Sequence, residues 1–176
     1  SGRLFKQYLM LKEALQREGL FDVERKNEIP AFPKKIALLS GEGSAAARDY
    51  LTIFHKRNPF AKIIHYPITV QGVSVTEDIR DALSQLDDED LIVITRGGGS
   101  FEDLFCFNDE SLVRLIAAEN RPVISAIGHE VDTTLIELVS DRRGATPTEA
   151  AEISTRNVGD TFNQLEIFFD NYTRKF

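Results

Sequence analysis

Four short apolar runs, each leading into a polar or glycine-bearing turn and then a helical pattern, constrain this chain more than any other feature. They are 34–40, 62–70, 90–95 and 122–127, with cores such as Ile36-Ala37-Leu38-Leu39 and Leu91-Ile92-Val93-Ile94. Strands this short and continuously apolar suit a sheet covered on both faces. Between them lie amphipathic segments with cap signals. Ser44 precedes a helix to about Arg57. Thr76 precedes one to about Leu86, with Glu77 and Asp78 in its first turn, where the macrodipole favours acids. Ser100 and Asp103 read as a capping box. Helices are expected over about 109–119 and 133–139, and Thr146-Pro147-Thr148-Glu149 opens the last one with cap, N1 proline and N3 glutamate in place. An earlier helix over 3–18 carries Leu4, Tyr8, Leu11 and Leu15 and ends at Gly19. The pattern predicts an α/β fold: a mostly parallel four-stranded sheet with helices on both faces, an N-terminal helix and a long C-terminal helix. Residues 1–35 are assigned to the N-terminal helix and linker, 36–150 to the α/β domain, and 151–176 to the start of a coiled-coil or partner-binding helix.

That last assignment rests on Val158, Phe162, Leu165, Phe169, Tyr172 and Phe176, whose alternating steps of four and three form an a/d seam. The seam either packs on the domain or pairs with a partner, and a homodimer through it fits both readings. The opening Ser1-Gly2-Arg3-Leu4 lacks a Met, and Phe176 is still in phase, so the chain reads as a piece of a longer one.

Composition narrows the partners. The chain has 176 residues and a formal charge of -7. Eighteen Asp/Glu against eight Lys/Arg fall within 87–176, so the acidity sits in the second half. This argues against a free-standing basic nucleic-acid binder. The run Asp87-Asp88-Glu89-Asp90 reads as a solvated loop. A single cysteine, Cys106, makes no internal disulfide, which points to a reducing, cytoplasmic compartment. It sits among Leu104, Phe105 and Phe107 and reads as a packed hydrophobe. No apolar run approaches the ~20 residues of a membrane span.

Sites in such folds lie beyond the carboxyl ends of the strands. Three loops there carry chemistry. Gly41-Glu42-Gly43-Ser44-Ala45-Ala46 matches a dinucleotide fingerprint, but position 61 is Ala and the second strand offers His65 and Tyr66 rather than a ribose-binding acid. A phosphate-binding turn remains. Asp49 follows, either as a dipole-compensating acid or facing the crevice. Arg96-Gly97-Gly98-Gly99-Ser100 is the most specific signal. Adjacent glycines cost backbone entropy and are kept where side chains do not fit, their amides can form an anion nest, and Arg96 can grip a phosphate bidentately. Gly128-His129-Glu130-Val131-Asp132 supplies an imidazole that titrates near neutrality, with Asp132 within reach to orient it. Position 133 is Thr, so no zincin motif is present. His55 and His65 read as ordinary helix and strand residues. Spacing alone therefore reaches a phosphate-ester site with Arg, His and Asp.

Longer strings go further. Residues 96–108 (RGGGSFEDLFCFN), 122–132 (PVISAIGHEVD) and 141–152 (DRRGATPTEAAE) resemble the large subunit of bacterial exodeoxyribonuclease VII. So do 66–72 (YPITVQG), Ala46-Ala47-Arg48-Asp49 and the opening stretch with Leu11-Lys12, Glu18 to Phe21 and Lys26. The departures are Ser140 and Gly144, where the family usually has Ala, and Phe105, where it often has Trp. The resemblance implies a nuclease degrading single-stranded DNA from both ends, a preceding OB-fold domain, and a C-terminal helical region that binds a small subunit. It carries catalytic roles onto Asp49, Arg96, His129 and Asp132. Gln71, Gly97, Gly98, Gly99, Ser100 and Glu130 are lesser or phosphate-binding candidates. It also implies that Mg²⁺ dependence varies, with Asp49 and Asp132 as the residues for a weak metal site.

Overall fold

The computed structural model describes residues 2–128 and 133–175. Helix α1 (Gly2–Arg17) precedes β1 (Lys35–Ser40), α2 (Ala45–Arg57), β2 (Lys62–Pro67), α3 (Val75–Ser84) and β3 (Leu91–Thr95). Next come α4 (Phe101–Leu104), a 3-10 turn (Phe105–Asn108), α5 (Glu110–Ala117), β4 (Val123–Ala126) and α6 (Leu135–Val139). β5 (Arg142–Arg143), α7 (Pro147–Ser154) and α8 (Val158–Thr173) complete the order.

The strands form one parallel sheet in the order β2-β1-β3-β4-β5. Side-chain alternation divides the core in two. Ile36, Leu38, Leu91, Val93 and Ile124 pack with Tyr50 and Phe54 of α2 and Ala150 and Ala151 of α7. Ala37, Leu39, Ile92, Ile94 and Val123 pack with Leu15, Ile79, Leu112, Ile116 and Leu135. The sheet is thus covered on both faces, by α2 and α7 on one and by α1, α3, α5 and α6 on the other. The buried Tyr50 hydroxyl donates to Ser154 Oγ at 2.9 Å, so its polar end is satisfied inside the first layer.

The sheet has five strands, not four. Arg142 and Arg143 pair with Ile124 and Ser125 as a two-residue edge strand. Two arginines carry no apolar signal, and an edge position tolerates their charge. The last helix is also two helices. Thr155 is extended (φ -157°, ψ 149°). Arg156 N donates to Ala31 O at 2.8 Å, and Asn58 Nδ2 donates to Thr155 Oγ1 at 3.2 Å. Asn157 then caps α8, accepting from Asp160 N at 3.2 Å. Residues 151–154 therefore lie within α7, which packs on the sheet, and α8 follows as a separate helix with no buried residue.

Helix α3 begins one residue before Thr76, after Ser74, and the Thr76 hydroxyl donates to Asp109 Oδ1 instead of capping. The acidic run is not a plain solvated loop either. Glu89 is buried and accepts from Tyr66 OH and Asp87 N, both at 2.7 Å, while Asp90 accepts from Lys34 N and Lys35 N. No helix among the described residues is long and apolar enough to cross a membrane.

Candidate active site

Parallel pairing puts the carboxyl ends of β1 to β4 on one edge. The winding reverses between β1 and β3, and at such a switch point the two following loops diverge and leave a crevice. The loops here are 41–44 and 96–100.

On the β1 side, Gly43 has φ +62°, a left-handed turn that favours glycine. Ser44 Oγ accepts from Ala47 N at 3.1 Å and starts α2. Arg48 Nη1 folds back to Gly43 O at 2.6 Å. Asp49 lies in the second turn of α2, exposed, and makes no hydrogen bond or ion pair with a described residue. The macrodipole acts mostly on the first turn, which holds no acid, so dipole compensation is a poor explanation of Asp49.

On the β3 side, the Arg96 amide donates to Ala126 O at 3.0 Å, which anchors the residue to β4. Its side chain is half-buried and lies over its own loop. Nη1 donates to Gly97 O at 3.3 Å, and Nε is buried with no partner among the described residues. None of the ion pairs among those residues involves Arg96. A Cβ on Gly99 would stand 2.5 Å from Arg96 Nη1, so the guanidinium uses the space that the missing side chain leaves. A Cβ on Gly97 would meet nothing within 4 Å, so the steric reading of the run holds at Gly99 and not at Gly97. Gly97, Gly98 and Gly99 are absent from the positive-φ residues, so the loop is not wound into the alternating nest its composition permits. Ser100 and Asp103 form the expected capping box, which occupies the Ser100 N–H with Asp103 Oδ2 at 3.3 Å. A phosphate at Ser100 would compete with that carboxylate.

The β2 loop closes the third side. Gln71 is exposed, and Gly72 turns the chain with φ +89°. Burial pushes the Cys106 thiol up, against the Gly72 backbone and the Arg96 charge that favour its thiolate. The loops after β2 and β3 thus meet around Cys106. His65 is half-buried and pairs through Nε2 with Ser40 Oγ at 2.8 Å, while His55 is exposed.

His129, Glu130 and Asp132 lie outside the described residues. Their flanks do not. Glu137, its side chain fully buried, accepts from Ile127 N (3.1 Å), Gly128 N (3.2 Å), Thr134 N (2.8 Å) and Thr134 Oγ1 (2.9 Å). Arg143 Nε stands 3.4 Å from the same carboxylate. One side chain therefore ties together the two ends of the β4 loop. Asn108 Oδ1 accepts from Leu135 N at 2.8 Å, and Tyr8 OH donates to Thr133 O at 3.0 Å, fixing the second end from two further elements. Sequence reasoning missed Glu137. The signal was present: Thr134 and Glu137 have capping-box spacing, and Glu137 interrupts an otherwise apolar helix.

The structure thus gathers Arg96, the glycine loop, Gln71-Gly72 and the ends of the β4 loop on one edge, and leaves the Asp49 carboxylate on α2 without a partner among the described residues. Among the described residues, no three His, Cys, Asp or Glu side chains converge to hold a metal. Of the suggested pair only Asp49 lies among them, and it lacks a second metal-ligating donor there.

Among the described residues the half-buried Arg96 guanidinium has no counter-charge, an arrangement that favours an anion. The switch point in the parallel sheet defines this chain as a doubly wound α/β domain, with Arg96 just beyond the end of β3. The chain belongs to the exonuclease VII large subunit family, which it matches over residues 20–176. It is 46% identical over 168 residues to the exodeoxyribonuclease 7 large subunit of Lactobacillus johnsonii, covering 93% of this chain and 37% of that protein. The Streptomyces coelicolor large subunit is 44% identical over 176 residues, covering 98% of this chain and 44% of its own. That of a Thermoanaerobacter species is 45% identical over 155 residues, covering 86% and 39%. The chain therefore spans well under half the length of these relatives. A solved structure of a ligand-bound protein from E. coli CFT073 overlays at a TM-score of 0.36 and 11% identity, covering 85% of this chain and 79% of its own, too distant to bear on fold or function.

Proposed function

We propose that this chain is the catalytic part of an exonuclease that hydrolyses phosphodiester bonds of single-stranded DNA. The observation that carries the reading is Arg96, half-buried at the switch point without a carboxylate partner among the described residues, in a chain of the large-subunit family. Arg96 swings from Gly97 O to the scissile phosphate and stabilises the charge that grows on it in the transition state. Water attacks phosphorus, the bond to the leaving oxygen breaks, and His129 takes the proton from water or gives one to that oxygen. Asp132 orients His129, and Asp49 positions the water. Gly97, where a Cβ would meet nothing within 4 Å, leaves open space for the strand on one side of Arg96. The exposed seam of α8 supports a role in holding the small subunit, and the cytoplasm is the compartment such a reaction needs.

The test uses full-length protein with its small subunit and labelled single-stranded and duplex DNA, with and without EDTA. Conversion of the single strand alone to short products is expected. His129→Ala is expected to abolish cleavage while the strand stays bound, and full activity in that variant overturns its role. The EDTA lane decides the metal. Binding without hydrolysis under every condition would favour the alternative, a phosphate-binding module or assembly scaffold.

A further inference from the structure

Beside the glycine loop stands an aromatic ridge that the reaction does not use. Phe101 follows Ser100 directly and opens α4. Its ring lies 6.4 Å from Phe5 of α1 and 6.0 Å from Phe105. Phe5 in turn stacks on Tyr8 at 6.2 Å. These rings are only partly covered, and Phe5 is 51% exposed. Only Ser100 separates Phe101 from Gly99, against which the Arg96 guanidinium rests, so the ridge begins within about 8 Å of chain from the candidate phosphate site.

Charge divides the surroundings. Lys12 of α1 places its Nζ 5.9 Å from the Tyr8 ring centre and is in no ion pair among the described residues. Beside Phe105 a cleft of about 400 Å³ is lined by Leu4 of α1, Gly72, Cys106 and the acids Glu102 and Asp109. Those acids repel phosphate and leave the cleft to a neutral group. Aromatic rings flanked by a cation at either end, Arg96 and Lys12, suit a flexible single strand: its phosphates meet the cations and its bases lie on the rings. A paired base is stacked inside its own duplex and does not present its face.

We propose that Phe5, Phe101 and Phe105 form a stacking subsite for the unpaired bases next to the scissile phosphate, so that the catalytic domain itself selects single strands. This rests on the function proposed above. The test uses the full-length protein with its small subunit and a single strand carrying 2-aminopurine, whose fluorescence falls when it stacks. Wild-type protein is expected to quench it. Phe5→Leu with Phe101→Leu keeps apolar volume and removes two rings; it is expected to lose the quench and weaken binding about tenfold. Phe101→Tyr in place of Phe101→Leu restores part of both. Binding of an abasic strand should be the same for wild type and the double variant, which also checks folding. In cleavage the loss should fall on KM for the base-bearing strand. Undiminished quench and affinity in the double variant overturn the proposal. A wild-type protein that binds but never cleaves would sink the nuclease reading, and the quench would still decide the subsite.

Discussion

Arg96 and Gly99 behave as one unit, because the side chain of one fills the space the other leaves open. Gly99→Ala is expected to push the guanidinium aside. Affinity for a short oligonucleotide should fall, while the urea midpoint stays within the small range of surface substitutions, about 0.5 kcal/mol. A shift in the midpoint without loss of affinity would contradict that coupling. Glu137 is the opposite kind of residue, a buried carboxylate with four donors on it. Glu137→Ala should cost about 3 kcal/mol or more in urea denaturation, since it leaves the buried amides of Ile127, Gly128 and Thr134 without their acceptor. Tyr66 and Glu89 form a pH-dependent pair. Burial pushes the Tyr66 phenol up to about 12, with the Glu89 charge adding to it. Burial alone would raise Glu89, but the hydrogen bonds from Tyr66 and the backbone outweigh it and hold the carboxyl low. A depressed carboxylate contributes stability above its unfolded value, about 4.3, and loses it as pH falls through the folded value. Tyr66→Phe should therefore be less stable than wild type at pH 7, and the gap should narrow in acid. A gap independent of pH would rule this pairing out.

At the scale of elements, caps were the most legible feature. Ser44, Ser100 and Thr146 each start a helix as their sequence positions imply, because the bonds span only three residues. Ser100→Ala should cost about 1 kcal/mol and loosen α4, measured by urea unfolding. Strand β5 was illegible, since Arg142 and Arg143 become a strand only because β4 offers an open edge. The break at Thr155 was illegible for a related reason: its bonds go to Ala31, Arg57 and Asn58 on other elements. Helix α8 stands apart from the core, with Phe162, Leu165, Phe169 and Tyr172 all exposed. Phe169→Ala is expected to change the stability of this chain by less than about 0.5 kcal/mol. A larger loss would mean that the seam packs on the domain.

For the whole molecule, net charge and site charge point in different directions. The formal charge is -7, yet Arg96 stands just beyond the end of β3 with no ion pair among the described residues. Electrostatic attraction by so few cations is weak at physiological salt. The isolated chain of 176 residues is expected to bind single-stranded DNA with a Kd no tighter than about 1 μM at physiological salt, by fluorescence anisotropy. Tighter binding would mean that this domain alone supplies the grip.

The sequence by itself determined the alternation of strand and helix, the parallel class of the sheet, the edge on which the loops gather and the family. Each of these is written in periodicities, caps and strings that a few neighbouring residues carry. Only the tertiary structure decided the order β2-β1-β3-β4-β5 and with it the switch point between the β1 and β3 loops. It alone laid Arg96 against Gly99, turned Glu137 inward to close the β4 loop, and brought Phe5 of the first helix beside Phe101. Those arrangements depend on where distant segments return in space, and no local pattern of hydrogen bonds or hydrophobicity encodes that meeting.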